Sequence, residues 1–154
     1  MRTTLLIAIA GAALIAGCRP PRFDPEDPAV VAAIDSIVQS MVEGSSNVDA
    51  DRVLAAAGDD LTFITGEVLL SGLEPIRARF RETYAGLKSQ HQRVIEKRVR
   101  LLSPDVAVFL AVSEGTYTDQ AGWTAPEVGI GTTIVFVREQ GQWRARHAHQ
   151  SISY

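Results

Sequence analysis

The chain has 154 residues, 46% of them hydrophobic and 21% charged, with a formal net charge of -3 at pH 7. A slightly acidic chain with no dominant basic cluster gives a nucleic-acid role little footing, and this length suits one domain with its own core. The only cysteine is Cys18, which excludes an intramolecular disulfide.

The opening stretch, MRTTLLIAIAGAALIAGC, reads as an export signal. Arg2 supplies a basic start, an apolar run follows from Leu5 to Ile15, and small residues precede Cys18. The run is too short to span a bilayer as a stable helix. Its closing IAGC resembles the lipobox of bacterial lipoproteins, where the cysteine carries a diacylglycerol and the chain is cut just before it. That resemblance implies a signal peptide over residues 1–17, lipidation at Cys18, and a protein held to a membrane of the bacterial envelope by acyl chains. Arg19 stands where an aspartate would favour inner-membrane retention, so the expectation in a diderm cell is the outer membrane. RPPRFDPEDP follows as a proline-rich tether over residues 18–27, stiff and extended at about 3 Å per residue.

The folded domain is expected over residues 28–154. Asp27-Pro28 pairs an N-cap with proline at the first helical position. Val30, Ile34, Ile37, Val38 and Met41 recur at helical spacing, predicting a helix to about Glu43 that GSSN ends. A short second helix is predicted from about Asp49 to Ala57, closed by Gly58. LTFIT and VLLS are two strand-like runs around Gly66-Glu67, and glycine first in a two-residue loop suits a type II′ hairpin. A third helix spans Gly72 to Gly86, with Ile76, Phe80 and Tyr84 on one face.

The remainder reads as strand. KSQHQRVIEKRVRLL turns at Ser103-Pro104-Asp105 into VAVFLAVSEGTYT, apolar on both faces as a central strand should be. The polar loop DQAGWTAPE precedes VGIGTTIVFV, and a tight turn at REQG leads to QWRARHAHQSIS. The order predicts an α+β domain: a curved antiparallel sheet, built as a hairpin plus a four-strand meander, with three helices covering one face.

Four segments in this order resemble the SnoaL-like and ketosteroid-isomerase-like proteins, which share the cystatin-like cone of nuclear transport factor two. They are AAAGDDLTFITG, LSGLEPIRARF, LLSPDVAVFLA and VREQGQWRARHAHQS. The last is similar to the association domain of calcium/calmodulin-dependent kinase. The resemblance implies a cone-shaped sheet with the three helices on its concave face, a pocket between sheet and helices, and a convex sheet face through which such domains commonly form dimers.

It does not imply isomerase chemistry, which needs a carboxylate base and an oxyanion site of tyrosine and protonated aspartate. The matching base position is near Thr65, IVQSMVEG contains no tyrosine, and Thr132 to Ile134 contain no acid. For a cyclase, dehydratase or isomerase of another design, Glu114 in FLAVSEGTY is a candidate base if its strand phase faces the pocket, and His147 is a second candidate. Otherwise Glu114 is a solvated residue.

On the last strand, Trp143, His147, His149 and Ser151 share one phase, and Arg146, Ala148 and Gln150 the other. The resemblance puts the second phase in the pocket and the first at a homodimer interface. The association domain holds small carboxylates with pocket arginines; those positions match Ile134 and Gln150 here, so the same anion site is absent, though Arg146 could stand in or form a rim salt bridge. His147-x-His149 could chelate zinc with His91 as third ligand, but three strand spacings separate them by roughly 14 Å, so no metal site is expected. Phe63, Thr65, Tyr84, Ile134, Arg146 and Gln150 are thus the expected lining of a small-ligand pocket, with no cofactor implied. Trp123, in a loop where no core requires it, is a further candidate at the pocket mouth.

Overall fold

The computed structural model describes residues 23–153; the expected signal, Cys18 and the first half of the tether lie outside them. In chain order the elements are α1 (Pro28–Ser46), α2 (Ala50–Val53), β1 (Ala57–Thr65), β2 (Val68–Ser71), α3 (Leu73–Ala85), β3 (Leu87–Ser103), β4 (Val106–Asp119), β5 (Val128–Glu139) and β6 (Gln142–Ser153). The strands form one curved, unclosed sheet in the order β2-β1-β6-β5-β4-β3. The α+β class, the hairpin, the meander and the three helices are as the sequence predicts.

One junction departs from a wholly antiparallel sheet. β1 pairs with β6 in parallel, with Phe63 opposite Ala148 and Thr65 opposite Gln150. The end of α2 delivers the chain to the end of the cone where β6 begins, and Ala145 N–H donates to Ala56 C=O at 2.8 Å. Both strands therefore start at the same end. Alternation of apolar and polar residues has the same period in either direction, so the sequence does not carry this orientation.

Asp27 caps α1 as expected, its carboxylate accepting from Ala29 N–H at 2.9 Å. The helix runs through Gly44 rather than stopping there, because that glycine admits the next helix: a Cβ on it would lie 2.8 Å from Val53 N. α2 is shorter than predicted, and Gly58 belongs to β1 instead of closing a helix. Gly66 has φ +56°, and the two-residue loop joins the pairs Thr65 and Val68.

Val30 and Ile34 of α1, Ile76 of α3, and Val99, Leu101, Phe109, Phe136 and Trp143 of the sheet form one buried cluster. Alternation places Ala107, Phe109, Ala111 and Ser113 of β4 inward, with Leu110 and Val112 on the outer, solvent face. Lys97 of β3 holds Asp35 of α1 at 2.9 Å, closing the helix onto the sheet.

Candidate functional site

Between the helices and the concave face of the sheet lies a cavity of about 400 Å³, within the range of small-molecule sites. Val38, Met41, Val42 and Ser45 of α1 form one wall, and Ile76, Phe80 and Tyr84 of α3 another. The sheet supplies the floor, from Phe63 and Thr65 through Ala148 and Gln150 to Ile134, Thr132, Ala111 and Ser113. Arg79, Tyr117 and Ile152 line it at exposed positions and mark its mouth. No aspartate or glutamate is among the described lining residues.

Five of the six residues expected to line the pocket do so: Phe63, Thr65, Tyr84, Ile134 and Gln150. The sixth, Arg146, does not. Its guanidinium pairs with Glu139 and Asp60 outside the cavity. The cause is a β-bulge: Phe136 pairs with Ala145 but Val135 pairs with His147, leaving Arg146 as the extra residue of β6. The bulge exchanges the strand's two faces. Before it, Trp143 and Ala145 point into the core; after it, Ala148 and Gln150 take over that face.

Trp143 is therefore corrected from an interface residue to a core residue, with the Arg138 guanidinium 4.8 Å from its ring centroid. His147, His149 and Ser151 remain on the outer face, opposite Val135, Thr133 and Gly131 of β5. His147 Nδ1 lies 2.8 Å from the Thr62 hydroxyl, which ties the ring to β1. That face is separated from the cavity by the sheet itself, so His147 is corrected as a candidate catalytic group for a pocket ligand.

Glu114 meets the same correction. Its phase, shared with Val108, Leu110 and Val112, faces outward, and its carboxylate pairs with Arg93 across the strand pair. Both phases of β4 are apolar, so sequence alone could not choose between them. An exposed pair of this kind contributes up to about 1 kcal/mol. Glu114→Gln should accordingly leave ligand binding in the cavity unchanged and move the urea midpoint only slightly; a large loss of binding would return Glu114 to the site.

The inner face holds polar groups that sequence reasoning passed over. Ser113 is 1% exposed and Thr132 carries a buried hydroxyl, both on the cavity side. Their signal was present in register with Phe109 and Ala111, and with Ile134, but small hydroxyls in a strand do not stand out. At the α1 end, Ser45 Oγ receives hydrogen bonds from the Tyr84 hydroxyl, at 3.3 Å, and from Gln90 Nε2. Trp123 lies outside the lining, 55% exposed, edge-on to Tyr117 with centroids 6.0 Å apart.

Burial pushes the Tyr84 phenol above its ordinary value of 10.0, the Ser45 hydrogen bond opposes this and Asp49 adds to it. A phenol with a raised folded-state pKa supports the fold fully below pH 10 and loses that support as pH rises through the raised value. Wild type should lose stability above about pH 10 more steeply than Tyr84→Phe. Melting curves from pH 8 to 11 check this; parallel pH profiles would contradict it.

A model described as "SnoaL-like domain" matches residues 34–154. No curated protein matches the sequence. Among solved structures, an uncharacterised protein with a cystatin-like fold from Caulobacter vibrioides superposes with TM-score 0.71 at 18% identity, covering 80% of this chain and 89% of that one. The association domain of calcium/calmodulin-dependent kinase II from C. elegans gives 0.66 at 20% identity, covering 82% and 98%. A hexachlorocyclohexane dehydrochlorinase from Novosphingobium barchaimii gives 0.73 at 15% identity, covering 82% and 88%. At these identities the likenesses establish the fold alone.

Proposed function

The chain belongs to the SnoaL-like domain family, and from that premise we propose that it binds a small, mostly apolar molecule in the cavity, as a homodimer tethered to the bacterial envelope. The cavity carries this reading: about 400 Å³ between sheet and helices with a predominantly apolar lining and no carboxylate among its described residues. A tight core would have filled that volume, since empty space forgoes dispersion contacts. Enzymes are found among proteins of this fold, but a reaction run by Glu114 or His147 would take place on the outer face, away from the cavity.

The test is a fluorescence titration with N-phenyl-1-naphthylamine. Saturable one-to-one binding is expected, weakened at least tenfold in Ala148→Phe, whose ring would occupy the floor between Phe63 and Ile134. Circular dichroism and melting temperature establish that the variant is folded. Unchanged binding in the folded variant would refute the cavity as the site.

The anchor has a geometric consequence. Pro25 C=O accepts from Leu101 N–H at 2.8 Å, so the domain's first described residues lie beside the far end of β3. Gln90, which lines the cavity, is eleven residues along that strand, roughly 36 Å away at about 3.3 Å per residue. A lipid at Cys18 would therefore be joined to the domain near the end of β3 that lies opposite Gln90. Cys18→Ser should abolish lipid labelling and release the protein from the membrane fraction; labelling that persists would refute the anchor.

A further inference from the structure

We propose, deepening the binding reading above and resting on it, that the ligand is uncharged and is held by one carbonyl oxygen that accepts hydrogen bonds from Ser113 and Thr132.

Among the described residues, four buried side-chain polar atoms have no hydrogen-bond partner: Asp35 Oδ1, Arg77 Nε, Ser113 Oγ and Thr132 Oγ1. The first two are within ion-pair reach of Lys97, at 2.9 Å, and Glu74, at 3.3 Å. The two hydroxyls have no partner in the protein. Both line the cavity, on the same face of adjacent strands. A buried hydroxyl without a partner is destabilising, and alanine or valine would fit either strand phase without that penalty. Two such groups side by side in a ligand-sized space are accounted for by a molecule that supplies their partner.

The register defines the arrangement. Ser113 pairs with Ile130 and Thr132 with Ala111, which makes the two hydroxyl residues diagonal neighbours, roughly 7 Å apart at the backbone and less at the side chains. An oxygen about 2.8 Å from each hydroxyl fits between them. A carbonyl oxygen has two lone pairs and can accept from both. Gln150 lies directly opposite Thr132, and Thr65 opposite Gln150, so a neutral polar row continues across β6 to β1. None of these four side chains carries charge. An ionised ligand would surrender its hydration with only neutral partners in return. Arg79 at the mouth is exposed and already paired with Glu82 at 3.0 Å, and His91, the other basic lining residue, is exposed on the edge strand β3.

Three probes of one shape separate the possibilities: 2-acetylnaphthalene, 2-ethylnaphthalene and 2-naphthoate, titrated by isothermal calorimetry. The ketone should bind about five- to thirtyfold more tightly than the hydrocarbon, and the carboxylate more weakly than the ketone. In Ser113→Ala and in Thr132→Val the ketone should lose most of its advantage while 2-ethylnaphthalene binds as before. Ligand-free Ser113→Ala should melt at the same temperature or a few degrees higher, because it removes an unpaired buried hydroxyl. Equal affinity for ketone and hydrocarbon, or a ketone preference that survives both substitutions, would overturn the anchoring pair while leaving the binding reading in place. Tightest binding of the carboxylate would overturn the uncharged class. Failure of all three to bind would overturn this inference together with the cavity's assignment as a binding site.

Discussion

Phe136→Ala should destabilise the domain by about 3–5 kcal/mol. Phe136 is fully buried, and its lateral partners on β4 and β6 are Ala107 and Ala145. Two alanines cannot extend into the space its ring would leave, and both neighbouring strands are fixed by their ladders. The vacancy would stay open, so the cavity penalty adds to the lost transfer energy. Against a total of roughly 5–15 kcal/mol for a domain of this size, that is a fifth or more of its stability. Urea denaturation measures it: the midpoint should fall sharply with an unchanged slope. A loss below about 1 kcal/mol would mean that this end of the cone repacks freely.

The second large effect concerns assembly. Leu110 is 42% and Val112 55% exposed on the outer face of β4, beside Val108 and Val135, with Thr133, His147 and His149 continuing the surface toward β1. Apolar side chains grouped on the central strands of an uncovered sheet suit a partner surface, and a C2 dimer would bury the same patch on both copies. Leu110→Asp places two unpaired carboxylates at such a junction. Dimer dissociation should strengthen at least a hundredfold, which corresponds to about 2.7 kcal/mol. Sedimentation velocity at 10 µM should show a wild-type dimer and a folded variant monomer. A monomeric wild type, or a variant dimer of unchanged affinity, would exclude this face as the interface.

Much of this molecule was legible in its sequence, for reasons that separate cleanly. Asp27-Pro28 and the Ile76-Phe80-Tyr84 stripe carry local signals that tertiary structure did not override. The pocket residues of β1, α3 and the second half of β6 followed from a fold resemblance applied position by position. Arg146 and Trp143 were misplaced by one event, the bulge that inserts an extra residue in β6. Nothing in RARHAH marks it, because the phase change is visible only against the partner strand. Glu114 illustrates another limit: where both faces of a strand are apolar, one covered by helices and the other open, periodicity cannot say which is which. Ser113 and Thr132 do not stand out in the sequence because charged groups are what mark a site there, and the cavity's polarity resides in hydroxyls and amides.

Methyl-resolved NMR of isoleucine during titration with 2-acetylnaphthalene tests the central claim most directly, that the space between sheet and helices is the binding site. Ile76, Ile130 and Ile134 line that space, while Ile64 and Ile95 lie outside its lining. The first three methyl signals should move together and saturate with one dissociation constant, and the other two should stay in place. Saturable shifts at Ile64 or Ile95 with Ile76, Ile130 and Ile134 unmoved would contradict the account.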